Sequence, residues 1–371
     1  MISKKTTLSL IFIATFLVAS LLLLHVRAEH ATSSSELPTY YRYTSSELKN
    51  LSSTQKITEE QLKKWDQIAQ DYFEKNKVSS YTPPRFYVYL YAAQRDAAFL
   101  SYNTQDHFEG SLDPISEKIG KLFFPDFPHP EKFTNDPYSE KLASLVFAKY
   151  QKRYQKEATQ SPRSPIPPEK EVAKELTWIV FPIEDFRPTP PPPKGDNRWK
   201  EQMGKLKRIQ KMLTKKQKES ALFWADNEDA DWRVITNNYL FESDIPLAQM
   251  LLVRSVLTMG LYDATIVCIE AKYTYNIPRP YVYDPKFKPI APAPSSPSFP
   301  SCHSTRADTA ATILSYYFSD KSDQWKKMGE EDGHARLFGG VHYPIDHTTG
   351  KKLGKTIGHQ VIISEGESLG D

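Results

Sequence analysis

The chain has 371 residues, a formal net charge of +3 and a mean hydropathy of −0.54. The charge is too small to indicate a nucleic-acid partner, and the hydropathy excludes a protein with several membrane spans. The only two cysteines, Cys268 and Cys302, are too few for a disulfide scaffold. They leave two alternatives open, a bonded pair beside the motifs described below and two buried thiols.

Residues 1–28 are predicted to be a signal peptide. Lysines precede an apolar run at 10–26, and Val26 and Ala28 satisfy the small-residue rule for cleavage. The run is long for a signal peptide, so an N-terminal membrane anchor is the alternative. Because the lysines lie on the short side, both interpretations export the rest of the chain, as a periplasmic, secreted or membrane-anchored protein. The Ser- and Thr-rich residues 29–57 are predicted to be a spacer.

The region 58–220 is predicted to be helical, with proline-rich connectors. Apolar residues recur at helical spacing in 59–75, and the aromatic-rich segment 85–102 indicates a buried helix. The prolines within 114–135 predict a loop, and a helix is expected to resume at 137–157.

Residues 199–218 hold eight basic side chains. Apolar residues at helical spacing favour an ordinary helix with a solvated basic face over a phosphate-binding or membrane-binding patch. The apolar strip 176–181 lies between proline-rich connectors and is predicted to pack onto the domain.

The region 221–365 is predicted to be a catalytic helical bundle. Its longest apolar stretch, 245–275, is expected to be the central core helix and to carry Lys272 near its end. No segment alternates with the period of two that strands require, so the fold is predicted to be all-α, a multi-helix bundle or two fused bundles.

Three short blocks in this region contain most of the chemically informative residues. Together they supply three fixed cations, two imidazoles and one carboxylate, a set that suits a tetrahedral oxyanion and needs no metal. The blocks are Lys272-x6-Arg279-Pro280, Pro300-Ser301-Cys302-His303 and Arg336-x5-His342-x3-Asp346.

The local sequence around the blocks predicts how their backbone is arranged. An Ala-rich helical pattern follows Ser301, so the second block is expected at a helix start, where free N–H groups face an anion. Pro344 suits the first turn of another helix, and a spacing of four would let Asp346 hold the His342 ring in one tautomer. Glycines continue this spacing and predict a stripe where another helix approaches closely, namely Gly350, Gly354 and Gly358, with Ala307 and Ala311 offering a similar surface.

The three blocks resemble the signature of the type 2 phosphatidic acid phosphatase and vanadium haloperoxidase superfamily, in order, internal spacing and separation. The family pattern is Lys-x6-Arg-Pro, Pro-Ser-Gly-His and Ser-Arg-x5-His-x3-Asp. This chain departs from it at Cys302, where the family has Gly, and at Ala335, where it often has Ser. The added Cβ of Cys302 would be costly if that position needed a positive φ.

The resemblance implies a role for each residue of the blocks. His342 would be the nucleophile that forms a phosphohistidine, and Asp346 would orient it. His303 would be the general acid and base. The transferring phosphoryl group would be bound by the remaining residues, namely Lys272, Arg279, Arg336, the Ser301 hydroxyl and the Cys302 N–H.

The implied activity is hydrolysis of phosphomonoesters or lipid phosphates, with no cofactor. The alternative is a haloperoxidase in which the same residues hold vanadate; in well-known haloperoxidases of the family an aromatic residue or His lies seven residues before the second-block His, where this chain has Ser296. A second alternative is a phosphate-binding protein without turnover. The expected partner is a small-molecule or lipid phosphate, and the N-terminal segment would provide any membrane association.

Two further expectations concern His and Cys side chains near the blocks. His334 and His347 flank the third block, but His342 is assigned to the oxyanion pattern and no cysteine is near in sequence, so no metal site is predicted. Cys302 is expected at a helix start beside Arg and Lys, which favours a reactive thiolate that phosphate would protect from alkylation.

Overall fold

The computed structural model describes residues 48, 51–78, 82–102, 108–160, 169–226 and 230–370. The predicted signal segment and most of the predicted spacer lie outside these residues. Across the described ranges the fold is helical and contains no strand, only isolated bridges between Lys56 and Glu109 and between Tyr102 and Phe108. The predicted all-α class is therefore confirmed.

The N-terminal half is a bundle of helices around an aromatic-rich core. The first helix buries Leu62, Trp65 and Ala69 along one face, as its sequence pattern predicts. The helices of this half are α1 (Glu59–Asn76), α2 (Thr82–Ser101), α3 (Asp113–Phe123), α4 (Pro137–Gln160) and the short α5 (Glu169–Val172).

Helix α3 contradicts the predicted loop at 114–135. Pro114 lies in its first turn, where a missing N–H costs no hydrogen bond, and the later prolines follow the helix. Ile115 and Ile119 are buried on its inner face. The Asp113 carboxylate fixes its start by accepting a hydrogen bond from the Trp65 indole at 2.8 Å. Local proline content therefore gave the wrong prediction because tertiary packing stabilises the segment before the prolines.

The C-terminal half contains the longest helices. The predicted helix at 199–218 is divided in two, because α6 ends at Lys211 and α7 begins at Lys215. Met203 and Leu206 are buried while the lysines of α6 are exposed, as in an ordinary amphipathic helix. The helices are α6 (Asn197–Lys211), α7 (Lys215–Asp226), α8 (Trp232–Glu242), α9 (Leu247–Tyr275), α10 (Pro280–Tyr283), α11 (Cys302–Tyr317), α12 (Ser322–Phe338) and α13 (Pro344–Gly370).

Helix α9 is the central helix of the molecule. One face packs Met259 and Ile266 into the N-terminal core, and another packs Val253 and Leu257 into the C-terminal core. The segment Leu247–Tyr283 is apolar and long enough to cross a membrane, but its most apolar window is 89% buried inside the fold, as expected of a core helix. The two bundles therefore share α9, whereas the domain boundary at 220 stays a prediction.

The apolar strip 176–181 is packed against α9 between the two cores, with Trp178 beside the N-terminal core and Val180 in the C-terminal core. The buried carboxylate of Asp263, on α9, accepts backbone N–H bonds from Trp178 at 2.7 Å, Ile179 at 2.8 Å and Val180 at 3.0 Å. Three such bonds satisfy polar groups that would otherwise be buried without partners, so the strip is part of the folded domain.

Helices α11 and α13 approach closely along the predicted glycine stripe. A Cβ at Gly350 would lie 2.5 Å from the Ser301 carbonyl oxygen, and one at Gly358 would lie 2.7 Å from the Thr312 side chain. A Cβ at Gly354 would collide with the Thr305 carbonyl. The Ala307–Ala311 surface faces α12 instead, at Gly329. Helix α11 thus lies between α12 and α13, which brings the second and third blocks together.

Candidate active site

The three blocks meet where the ends of several helices converge. Lys272 lies in the last turn of α9, Ser301 caps α11, and Arg336 lies in the last turn of α12. Most of the predicted side chains are at most 4% exposed, namely those of Lys272, Arg279, Ser301, Arg336, His342 and Asp346. His303 and Cys302, in the first turn of α11, are half-buried.

His342 is held by hydrogen bonds at both ring nitrogens. Its Nδ1 lies 3.0 Å from Asp346 Oδ2, and its Nε2 lies 2.9 Å from Arg279 Nη1. Because Arg279 can only donate, this network assigns the proton to Nδ1 and the lone pair to Nε2. Burial and the charge of Arg279 hold the pKa of His342 well below its usual value. The ring is therefore neutral near pH 7, and its Nε2 lone pair accepts the hydrogen bond from Arg279.

Asp346 is fixed by donors from two sides. Its Oδ2 accepts from the Ser298 hydroxyl at 2.5 Å and from the Tyr343 N–H at 3.0 Å, in addition to His342. Burial raises the pKa of Asp346 to about 6, against the lowering effect of the hydrogen bond from Ser298. Because Oδ2 accepts all three hydrogen bonds, the geometry fits the ionised carboxylate, which can stabilise a positive charge on His342.

The two cations of the first block are oriented by backbone carbonyls. Arg279 donates from Nε to the Ser296 carbonyl at 2.7 Å and from Nη1 to the Val341 carbonyl at 2.8 Å. Lys272 donates to the carbonyls of Pro297 at 2.6 Å and Ser298 at 3.0 Å. Burial, followed by the charge of Arg279, lowers the pKa of Lys272. An anion bound beside Lys272 would raise this pKa again, because it would favour the protonated lysine.

His303 lies among the cations of the site. Burial holds its pKa well below the usual value, and the positive charge of Arg336 is the next cause. Within the part of the chain that the structure describes, the ring has no hydrogen-bond partner. His303 is therefore neutral in the free protein and its ring nitrogens are available to a ligand.

The start of α11 has the predicted geometry for anion binding. Ser301 is its N-cap and accepts from the Ser304 N–H. Among the described residues only Lys77, Asn276 and three glycines have positive φ, so Cys302 is in an ordinary helical conformation. The Cβ that replaces the family's glycine therefore causes no backbone strain, and the Cys302 N–H is retained at the first helical position.

Cys302 is bonded to Cys268, which corrects the expected reactive thiolate. The bond joins α11 to α9 with a Cα–Cα distance of 5.5 Å, and the structure has no free cysteine. Of the two alternatives left open by the sequence, the structure therefore shows the bonded pair. Lys272 follows Cys268 by one helical turn, so the bond ties the first block to the second.

Removal of this disulfide is expected to destabilise the protein. The bond closes a loop with a sequence separation of 34, for which chain entropy alone gives a loss of about 3–4 kcal/mol. The measurement is urea unfolding of wild type and Cys268→Ala/Cys302→Ala, each with and without dithiothreitol. Dithiothreitol should lower the midpoint of wild type only, and an equal midpoint for the oxidised wild type and the double variant would contradict the assignment.

Several polar residues of the site were missed by the sequence analysis. Ser298 orients Asp346, and Ser304 contacts Ser301 Oγ at 3.1 Å and His347 Nδ1 at 2.9 Å. The only signal for Ser298 is a polar residue between prolines just before the second block. Its function depends on where the loop 284–300 passes, which the local pattern does not specify.

The chain resembles a known protein family and solved structures. Residues 251–364, which include all three blocks, match the family described as the PAP2 superfamily. Among solved structures, the first bacterial vanadium-dependent iodoperoxidase is 17% identical with a TM-score of 0.64, covering 84% of this chain and 97% of its own. A holo-type bacterial vanadium-dependent chloroperoxidase is 11% identical with a TM-score of 0.61, and the match covers 78% of this chain and 92% of the chloroperoxidase chain. No curated protein sequence matches.

At these identities the structural likeness establishes a shared fold, and it extends through both bundles. The match of residues 251–364 to the PAP2 superfamily supports the superfamily resemblance that the three blocks predict. Members of this superfamily are phosphatases or haloperoxidases, which supports an enzymatic role for this protein.

Proposed function

We propose that the protein is an exported, metal-independent phosphatase that hydrolyses small-molecule or lipid phosphomonoesters through a phosphohistidine at His342. The observation that carries the proposal is the state of this imidazole. Asp346 holds its Nδ1, and its Nε2 lone pair faces Arg279 within a buried group of cations. A neutral, oriented imidazole beside fixed positive charge is what nucleophilic attack on a phosphate ester requires.

The first step forms the phosphohistidine. The phosphoryl oxygens would be held by Lys272, Arg279 and Arg336 together with the N-terminus of α11. Nε2 of His342 attacks phosphorus while the bond to the leaving oxygen breaks. His303, protonated once the anion is bound, transfers its proton to that oxygen, and Asp346 stabilises the imidazolium that forms.

The second step returns the enzyme to its starting state. His303, now neutral, accepts a proton from a water molecule whose oxygen attacks phosphorus. The P–N bond breaks, its electron pair returns to Nε2, and inorganic phosphate leaves. The site thus uses His303 as acid and then as base, and no step needs a metal.

The haloperoxidase alternative is favoured by the fold likeness to two bacterial vanadium-dependent peroxidases across both bundles. The residues fit vanadate, since His342 Nε2 could coordinate it and the buried cations could hold its oxygens. Bound vanadate would supply peroxide activation for halide oxidation. Ser296 favours the phosphatase, because an aromatic residue or His is expected at this position in haloperoxidases. Its hydroxyl instead accepts a hydrogen bond from Arg279 Nη2 at 3.2 Å. The intact pair His303 and His342 makes a non-catalytic phosphate-binding protein the weakest candidate.

Parallel assays of the purified protein distinguish these activities. The proposal requires hydrolysis of p-nitrophenyl phosphate that persists in EDTA and is inhibited by vanadate, a mimic of the pentacoordinate transition state. Vanadate-loaded protein should not oxidise iodide or bromide with hydrogen peroxide. Halide oxidation without phosphatase activity would establish the alternative, and loss of phosphatase activity in EDTA with rescue by Zn²⁺ or Mg²⁺ would refute the metal-independent mechanism.

The export part of the proposal is supported by the disulfide. Bonds such as Cys268–Cys302 persist in oxidising compartments and are rare in the cytosol. This agrees with the N-terminal sequence, which predicts a signal peptide or an anchor with the catalytic domain outside. Fractionation of cells that express the full chain, probed for the domain and for its N-terminus, tests export and cleavage together.

Anion binding is expected to depend on the protonation of His303. Burial, followed by the charges of Arg336 and the other cations, holds the pKa of His303 well below its usual value, and a bound dianion would offset these charges and raise the pKa. Binding should therefore take up a proton and tighten as pH falls, by at most about tenfold per pH unit for one proton. Sulfate is a suitable probe because it stays a dianion across this range. Calorimetric titration should show a shallower pH dependence for His303→Gln, and equal slopes would contradict the coupling.

A further inference from the structure

A second cluster of ligand side chains lies beside the active site. Glu330 and His334 are four residues apart on one face of α12, and His347 lies in the first turn of α13. Each of the three offers a donor atom, and these atoms lie within 4.8 Å of one another. The cluster is outside the cation cage and takes no part in the mechanism proposed above.

The surrounding contacts bring the three side chains together. His334 Nδ1 lies 3.2 Å from Glu330 Oε1, and the rings of His334 and His347 have centroids 4.5 Å apart. Gly333 makes room for the second ring, because a Cβ there would lie 2.8 Å from His347 Cε1. The Ser304 hydroxyl, 2.9 Å from His347 Nδ1, orients that ring from the other side.

The donor set selects a class of ion. Two imidazoles and one carboxylate are the ligands of three-residue zinc sites, which leave a fourth position for water. Hard cations such as Ca²⁺ and Mg²⁺ prefer oxygen donors alone, so the nitrogen donors disfavour them. We propose that Glu330, His334 and His347 bind one divalent transition-metal ion, with Zn²⁺ the best match. This replaces the expectation that His334 and His347 have no ligand role.

Lys351 is the competitor for this site. Its ammonium group is in direct contact with the Glu330 carboxylate, so it neutralises that ligand when no metal is bound. A metal ion must displace it, and the long, flexible side chain of Lys351 is 30% exposed and can turn toward solvent. Removal of this lysine charge should therefore strengthen metal binding.

The position of the site gives the ion a structural consequence. It would connect α12, which carries Arg336, to α13, which carries Asp346. His347 also reaches the anion site through Ser304, whose Oγ lies 3.1 Å from Ser301 Oγ. Bound metal would thus fix two helices that carry active-site residues without touching the substrate, and catalysis would not require it.

Metal titration of the full-length, tag-free protein tests the inference. After EDTA treatment and dialysis, calorimetric titration with Zn²⁺ should show one site per chain, and Co²⁺ should give the visible absorption of a low-symmetry site. His334→Ala and Glu330→Gln should each weaken Zn²⁺ binding by at least about tenfold, whereas Lys351→Gln should tighten it. Zn²⁺ should raise the melting temperature of wild type more than that of His334→Ala.

The matched control is the surface pair His129 and Glu117, whose side chains lie 3.0 Å apart and have no third ligand side chain among the described residues. His129→Ala should leave the Zn²⁺ affinity unchanged. Melting curves without metal establish that every variant is folded. The inference is overturned if folded wild type shows no Zn²⁺ site, or if folded His334→Ala binds Zn²⁺ as tightly as wild type. These outcomes are independent of whether the enzyme hydrolyses phosphate esters.

Discussion

His342→Ala is expected to abolish phosphomonoester turnover, with a loss in kcat of about 10⁴-fold or more, because the variant has no atom that can form the covalent intermediate. The remaining rate would come from the cations alone. The measurement is kcat and KM for p-nitrophenyl phosphate in wild type and variant. His359→Ala, which removes an exposed histidine on α13, is the matched control and should retain full activity.

Two further measurements separate a lost nucleophile from a damaged site. Sulfate should still bind to His342→Ala within a few-fold of wild type, since the cations of the cage are unchanged. A labelled phosphohistidine should be trapped in wild type by rapid quench at alkaline pH, where the P–N bond survives, and be absent from the variant. Equal turnover in wild type and His342→Ala would exclude the proposed mechanism.

His303→Ala is expected to lower kcat/KM by a factor that depends on the leaving group of the substrate. Alkyl phosphates need a proton on the departing oxygen, so their kcat/KM should fall by about 10²–10⁴-fold. Because p-nitrophenolate is stable without a proton, kcat/KM for p-nitrophenyl phosphate, which reports formation of the phosphohistidine, should fall much less. The measurement is the ratio of kcat/KM for p-nitrophenyl phosphate and glycerol phosphate, which should rise sharply in the variant.

Asp346→Asn provides the comparison for His303→Ala. Asp346 acts on the nucleophile through its hydrogen bond to His342 Nδ1. Loss of this carboxylate should therefore lower kcat/KM for both substrates by a similar factor. An equal decrease in kcat/KM for both substrates in His303→Ala would show that His303 is not the proton donor. A change in the substrate ratio in Asp346→Asn would show that its effect is not confined to the nucleophile.

The contrast between the phosphatase and haloperoxidase activities depends on the surroundings of a shared oxyanion cage. Both chemistries use an imidazole opposite bound oxygens and a set of fixed cations. Ser296 is one position at which this chain differs from the haloperoxidase pattern, and its carbonyl and hydroxyl both accept hydrogen bonds from Arg279. An added polar contact of this kind holds the guanidinium in place for phosphate and offers no apolar surface to a halide site.

The sequence by itself determined the helical class, the superfamily and the identity of the residues around the cage. These are encoded locally: a long stretch that is apolar on all sides specifies a buried helix such as α9, and the block spacing places His342 four residues before Asp346. The glycine stripe Gly350-x3-Gly354-x3-Gly358 likewise predicted a close helix contact. The sequence alone shows that these positions have no side chain, whichever helix packs against them.

Only the tertiary structure decided the features that depend on residues distant in the sequence. Proline positions predicted a loop where α3 forms, since burial of Ile115 and Ile119 is a property of the packed bundle. The state of Cys302 depended on Cys268 lying on the adjacent helix, and the ligand cluster of Glu330 and His334 is completed by His347 from α13. Pairings of this kind are set by how helices pack, and a linear pattern contains the residue types but not the distances between them.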